Sequence, residues 1–202
     1  MTEKRLIKRL KARNEQAFNS YYAQHAPQLK YLIYRYVGNE VIAEDLLHEG
    51  FMTMLEKIGQ YKGVGNFEGW IRRIFINTAL MYLRKNKKMT FHADEINEEI
   101  LSDIDDKPNI DTDIINLDKI NMEVINAAEF SDEELEEAIN KLPEHYRVVF
   151  NLFVIDGYSH KEIALMLNLN EKTSKSRLSK ARKKAADYLY KQAIEKVKMV
   201  QL

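Results

Sequence analysis

The sequence predicts an all-α fold of two small helical domains, and three observations carry that prediction. Glycine and proline are scarce, at 7 and 3 in 202 residues, so few points force the backbone out of a helix. Apolar residues recur at helical spacing, and few β-branched runs alternate as a strand would. Helix-start residues precede several of the apolar runs: Asn14, Ser131, Ser159 and Asn170.

Leu6, Ile7 and Leu10 make a short amphipathic helix. A second begins at the cap Asn14 and turns Ala17, Phe18, Tyr21 and Tyr22 inward. Pro27 suits the first turn of a third, in which Leu29, Leu32, Ile33 and Tyr36 share a face and Gly38 ends the run. A fourth spans Asn39 to Ile58 and buries Ala43, Leu47, Phe51, Met54, Leu55 and Ile58. Residues 61–65 (YKGVG) form a loop, and a fifth helix runs from Phe67 to Lys87.

From Thr90 to Glu129 the helical period lapses. This stretch is rich in Asp, Asn, Glu and Ile and contains Pro108, so it reads as a linker. Its many isoleucines imply short segments that also dock on something. Ser131 with Glu134 then forms a capping box, opening a helix that uses Leu135, Ala138, Ile139 and Leu142. Pro143 starts the next, with Tyr146, Val149, Phe150 and Phe153 inward and Gly157 as its stop. The predicted organisation is a domain over 1–90, a linker over 91–130, a second domain over 131–190 and a C-terminal tail over 191–202.

The richest stretch is SHKEIALMLNLNEKTSKSRLSKARKK, residues 159–184. Ser159 and Glu162 make a second capping box, and Ile163, Ala164 and Leu167 give that helix one apolar face. Asn168 tolerates the left-handed conformation that closes a helix, Leu169 drops into the core, and Asn170 caps the helix that follows. There Ser174, Leu178, Ala181, Ala185 and Leu189 fall on one side. Lys172, Lys175, Ser176, Ser179 and Lys183 fall on another, flanked by Arg177, Lys180 and Lys184. Like charges crowded on one helix oppose each other, and a polyanion across the gap relieves them. The pattern is a helix-turn-helix whose second helix suits the DNA major groove.

Net charge is zero, but the charge is segregated. Residues 1–90 hold 16 Lys/Arg and 8 Asp/Glu, residues 91–137 hold 2 and 17, and residues 138–202 hold 13 and 6. Both basic domains attract nucleic acid, and the acidic strap repels it.

Several chemistries are excluded. There is no cysteine, hence no disulfide and no thiolate zinc site. His48-Glu49 lacks a second histidine four residues on, and the five histidines have no ligand spacing. Gly63-Val64-Gly65 is not followed by a phosphate-loop lysine, and Asp103, Asp105 and Asp106 lack the spacing of a calcium loop. We expect no catalytic residues, no cofactor, no metal and no small-molecule substrate. The charged N-terminal stretch and the short apolar run Ile74–Leu83 predict a soluble cytoplasmic protein without membrane insertion.

Two segments together resemble sigma factors of bacterial RNA polymerase, specifically the extracytoplasmic-function (ECF) group. They are AEDLLHEGFMTMLEKI (43–58) with YKGVGNFEGWIRRIFINTALMYLRKNKK (61–88), and the stretch from Leu135 to Leu189. The Thr173-Ser174-Lys175-Ser176 variant resembles the branch common in Bacteroidetes. The resemblance implies a non-catalytic subunit that gives core RNA polymerase its promoter specificity, and that an anti-sigma factor can hold.

It also implies three surfaces. The helix beginning AEDL would dock core polymerase through Asp45, His48, Glu49, Met52 and Glu56, with His48 where glutamine is usual. The next loop and helix would read the minus-10 element as unpaired DNA through Asn66, Phe67, Trp70, Arg72, Arg73, Asn77, Arg84 and Lys87. Aromatic faces stack on exposed bases and cations hold phosphates. From the residues alone, Phe67 and Trp70 fit the core as well as a stacking platform, and Asn77 fits a buried hydrogen bond. The second domain would read the minus-35 element as duplex. Lys172, Lys175, Ser176 and Ser179 would lie toward the base edges, with Thr173 on the same DNA-binding surface; Arg177, Lys180, Arg182 and Lys183 suit phosphates. Two rivals remain at this level: an ordinary helix-turn-helix regulator, and an adaptor that binds RNA through two basic faces.

Overall fold

The computed structural model describes residues 2–86 and 128–200, with side chains through Lys196. The chain divides into two compact units, Met1–Lys88 and Met89–Leu202. Among the described residues every regular element is helical.

In the first unit α1 (Glu3–Lys11), α2 (Glu15–Val37), α3 (Glu40–Lys57) and α4 (Phe67–Lys85) surround one core. Local chemistry starts the helices: the side-chain oxygens of Asn14 and Asn39 accept from the backbone N–H groups of Ala17 and Ile42. Gly38, at φ 65°, closes α2.

The expected helix break at Pro27 is absent. α2 runs unbroken through Pro27 for 23 residues. Tyr21, Leu29, Leu32 and Tyr36 are buried along one stripe that crosses the proline. Keeping that stripe continuous against α3 and α4 offsets the roughly 3 kcal/mol that an interior proline costs. At the centre, Phe51 meets Phe75 edge-on at 5.1 Å.

The second unit contains α5 (Asp132–Asn140), α6 (Glu144–Phe150), a π-helical turn over Asn151–Ile155, α7 (His160–Leu167) and α8 (Glu171–Val200). Both capping boxes form: Ser131 with Glu134 and Ser159 with Glu162 exchange backbone and side-chain bonds. Asn168 adopts the left-handed conformation at φ 55°, and Asn170 caps α8 by accepting from the Thr173 N–H at 2.6 Å.

Three expectations change here. Leu135 is exposed rather than inward, and Ala138 and Leu142 carry that side of the core. Along α6 and the wide π turn, Val148, Val149 and Leu152 are fully buried, while Tyr146, Phe150 and Phe153 are half-buried. Finally, α8 does not end near residue 190. It continues through Val200 over the expected tail, with Ala193 fully buried. Lys196 pairs with Glu134 at 2.7 Å and lies 4.6 Å from the Phe130 ring centre. The acidic linker, apart from residues 128–130, lies outside the described residues, as does Lys87.

Candidate nucleic-acid interface

On α3 the five expected polymerase-facing residues share the outer side. Asp45, His48, Glu49, Met52 and Glu56 are all exposed, opposite the buried Ala43, Leu47, Phe51 and Met54. His48 is held from two sides. Its Nδ1–H donates to the Glu44 carbonyl at 2.9 Å, which can only accept, and its Nε2 stands 3.4 Å from the Tyr22 hydroxyl. The Lys30 ammonium, 2.7 Å from Glu44, holds that carboxyl below its usual range. Val41, 73 % exposed and one turn before Asp45, extends the strip. Sequence reasoning passed over it, although its spacing from Asp45 could have found it.

The loop before α4 is built on aromatic packing. The Tyr61 hydroxyl donates to the Gly65 carbonyl at 2.9 Å, and Gly63 and Gly65 take φ of 75° and 81°. Asn66 caps α4: its oxygen accepts from the Glu68 N–H at 2.9 Å, so this atom serves the loop's own backbone. Phe67 is a correction. Only 1 % exposed, it is packed against Tyr61 at 5.3 Å and stacked on Trp70 at 5.9 Å, and it cannot be a platform for a base. Trp70 is half-buried and keeps an outer edge available.

Arg72, Arg73, Asn77 and Arg84 are exposed, so the buried alternative for Asn77 falls away. Leu80 is core, and Met81, 62 % exposed, stands in the outer row. Asn66, Trp70, Arg73, Asn77, Met81 and Arg84 follow three-and-four spacing, the signature of one helix face. Such a face offers apolar contact, an amide and cations in a line.

In the second unit α8 packs on α6 and α7 through Ser174, Leu178 and Ala181. Lys172, Lys175, Ser179, Lys180 and Arg182 are exposed; Thr173, Ser176 and Lys183 are half-buried. Arg177 is the second correction. It is 2 % exposed and belongs to the interior side of α8, because helices cover that face over a wider arc than the apolar residues marked. Arg147, with its guanidinium donating to the Asn140 carbonyl, is a second arginine of this interior. Glu171 accepts from Lys175 at 2.7 Å, which orients the lysine along the first turn and lowers the carboxyl's proton affinity.

Ser174 is fully buried and bonded to His160, with Oγ and Nδ1 2.9 Å apart. The His160 ring stacks on Phe153 at 4.3 Å, and the Arg182 guanidinium carbon lies 6.0 Å from the same Phe153 ring. Burial, and then the cation Lys175, push the imidazole's pKa down; Glu171 pulls it up, and Arg182 adds a smaller downward push. No group of acidic or histidine side chains that could hold a metal occurs among the described residues. None of the described helices is long and apolar enough to cross a membrane.

Comparison with known proteins bears on these surfaces. Residues 21–89 match the model of Sigma-70 region 2, and residues 132–184 match that of Sigma-70, region 4. An ECF RNA polymerase sigma factor SigE of Mycolicibacterium smegmatis is 31 % identical over 172 residues, covering 85 % of this chain. This chain spans 61 % of that relative's length. An ECF RNA polymerase sigma-E factor of Haemophilus influenzae is 26 % identical over 186 residues, covering 90 % of this chain and 92 % of its own. The sigma factor RpoE of Bartonella quintana, solved in complex with the anti-sigma factor NepR, shares the fold. Its TM-score is 0.50 at 21 % identity, over 85 % of this chain and 96 % of that one. With both sigma-70 regions present in order, the chain belongs to the sigma-70 family and to its ECF group of RNA polymerase sigma factors, proteins of promoter recognition and transcription initiation.

Proposed function

We propose that this protein binds core RNA polymerase through the outer strip of α3 and reads a two-block promoter with the faces of α4 and α8. The single observation that carries the reading is the separation of roles within each helix. α3, α4 and α8 each bury one side, mainly apolar on α3 and α4 and holding Ser174 and Arg177 beside Leu178 and Ala181 on α8. Each exposes a second, chemically distinct one: acidic and apolar on α3, amide, apolar and cationic on α4, cationic and hydroxyl on α8. An acidic and apolar strip complements a basic partner helix. Exposed cations with Trp70 and Met81 suit unpaired minus-10 bases and their phosphates. Lys172, Thr173, Lys175, Ser176 and Ser179 suit the base edges and backbone of the minus-35 duplex, with Lys180, Arg182 and Lys183 toward phosphates.

The protein changes no covalent bond itself; it acts in the cytoplasm by positioning DNA on polymerase. An anti-sigma factor is a fitting regulator, covering α3 or α8 until a signal removes it. The domain limits 1–90, 91–130 and 131–190 stand in this reading, with the last extended by α8, and the Thr173–Ser176 sequence supports membership of the branch common in Bacteroidetes. The test is transcription by purified core polymerase on fragmented genomic DNA, with and without this protein, mapping the starts. Discrete new starts sharing two upstream blocks support the reading. Specific duplex binding without core-dependent starts would favour an ordinary helix-turn-helix regulator.

A further inference from the structure

Ser174 is the fourth residue of α8, between the cations Lys172 and Lys175, and points the opposite way, into the interior. A serine buried there adds little apolar area, and its hydroxyl costs free energy unless bonded. His160, the first residue of α7, supplies the bond at 2.9 Å. Phe153 holds the imidazole in plane at 22° to its own ring, while Arg182, two turns along α8, reaches the same Phe153 ring. The π turn, α7 and α8 therefore meet at the His160 ring, stacked on Phe153 and tied to α8 by one directional bond.

We infer that His160 is a positioning residue for DNA reading: its bond to Ser174 sets the rotation of the first turn of α8, and so the reach of Lys172, Lys175 and Ser176. This rests on the reading of α8 as the minus-35 reader. Apolar contacts tolerate rotation of one helix against another, but a single donor–acceptor pair does not. A side-chain tip about 6 Å from the helix axis moves about 2 Å for a 20° rotation, more than a base-edge hydrogen bond accommodates.

The position also sees pH. On α8, Lys175 and Arg182 oppose a proton on the ring and Glu171 favours it; Phe153 is uncharged, and Lys161 and Glu162 are its neighbours on α7. A second charge at the joint works against the packed arrangement.

The experiment uses the full chain with core polymerase on a mapped promoter fragment, its upstream block intact or scrambled, and reads the ratio of transcription from the two. Four proteins are compared: wild type, Ser174→Ala, His160→Phe (ring without the bond) and His160→Asn (an amide where Nδ1 stands, without titration). Wild type should favour the intact block. Ser174→Ala and His160→Phe should lower the ratio about five-fold, the equivalent of one net hydrogen bond, and His160→Asn should recover most of it. The wild-type ratio should fall as pH drops below 6.5, and that of His160→Asn should stay level. No block dependence in wild type overturns the reading of α8 and this inference with it. Block dependence that Ser174→Ala and His160→Phe both leave intact overturns the positioning role alone. So does a loss that merely tracks thermal unfolding and that His160→Asn does not recover.

Discussion

Gly50 and Phe75 mark a tight approach of α3 and α4: a methyl group on Gly50 would stand 2.5 Å from the Phe75 ring. Phe75 has no room to move, being fully buried and edge-on to Phe51. The two helices that present the α3 strip and the α4 row are therefore held together by the absence of a side chain. Gly50→Ala should overpack this crossing by about 2 kcal/mol, against about 1 kcal/mol gained in helix propensity. Urea unfolding of the full chain should show the net loss in the transition of the first unit.

Phe67 and the α4 cations should separate cleanly. Phe67→Ala removes a buried ring and should cost about 3–5 kcal/mol of stability. Arg73→Ala or Arg84→Ala should leave thermal unfolding almost unchanged. Each should instead weaken binding to single-stranded promoter DNA with polymerase present, lowering the salt slope by about 0.7 for each phosphate that is no longer neutralised. Salt titration of binding by fluorescence anisotropy checks both.

The distal end of α8 is structural. Deleting residues 191–202 removes the buried Ala193 and the Lys196 ammonium that meets Glu134 and Phe130. The midpoint of thermal unfolding of the second unit should drop by about 5 °C. A deletion without effect would return these residues to the role of a tail.

Stability of the second unit should fall as pH drops below 6.5. His160 has its folded pKa lowered from 6.5, mainly by burial, so the unfolded chain takes up the proton first. The loss begins near 6.5 and is complete below the folded value. Glu134 and Glu171, also lowered, add losses only as pH falls below 4.5. Asp187 is raised from 3.8 by burial, so its contribution runs the other way, lost as pH rises through that range. Denaturant midpoints at pH 7.5 and 5.5 for wild type and His160→Asn isolate the histidine.

The helix starts at Asn14, Ser131, Ser159 and Asn170 were legible in the sequence because a cap satisfies backbone N–H groups two or three residues away. So was the turn at Asn168, and so were the exposed faces of α3 and α8, because helical period alone sorts them. The sequence by itself determined these local bonds and periods, and with them the helices and the two basic faces. Tertiary packing decided the rest. It buried Phe67 and Arg177, turned Leu135 outward, carried α2 through Pro27, and joined Ser174 to His160 across fourteen residues. Each of those outcomes depends on which helix covers which arc of its neighbour, a matter of distant chain segments that no local pattern encodes.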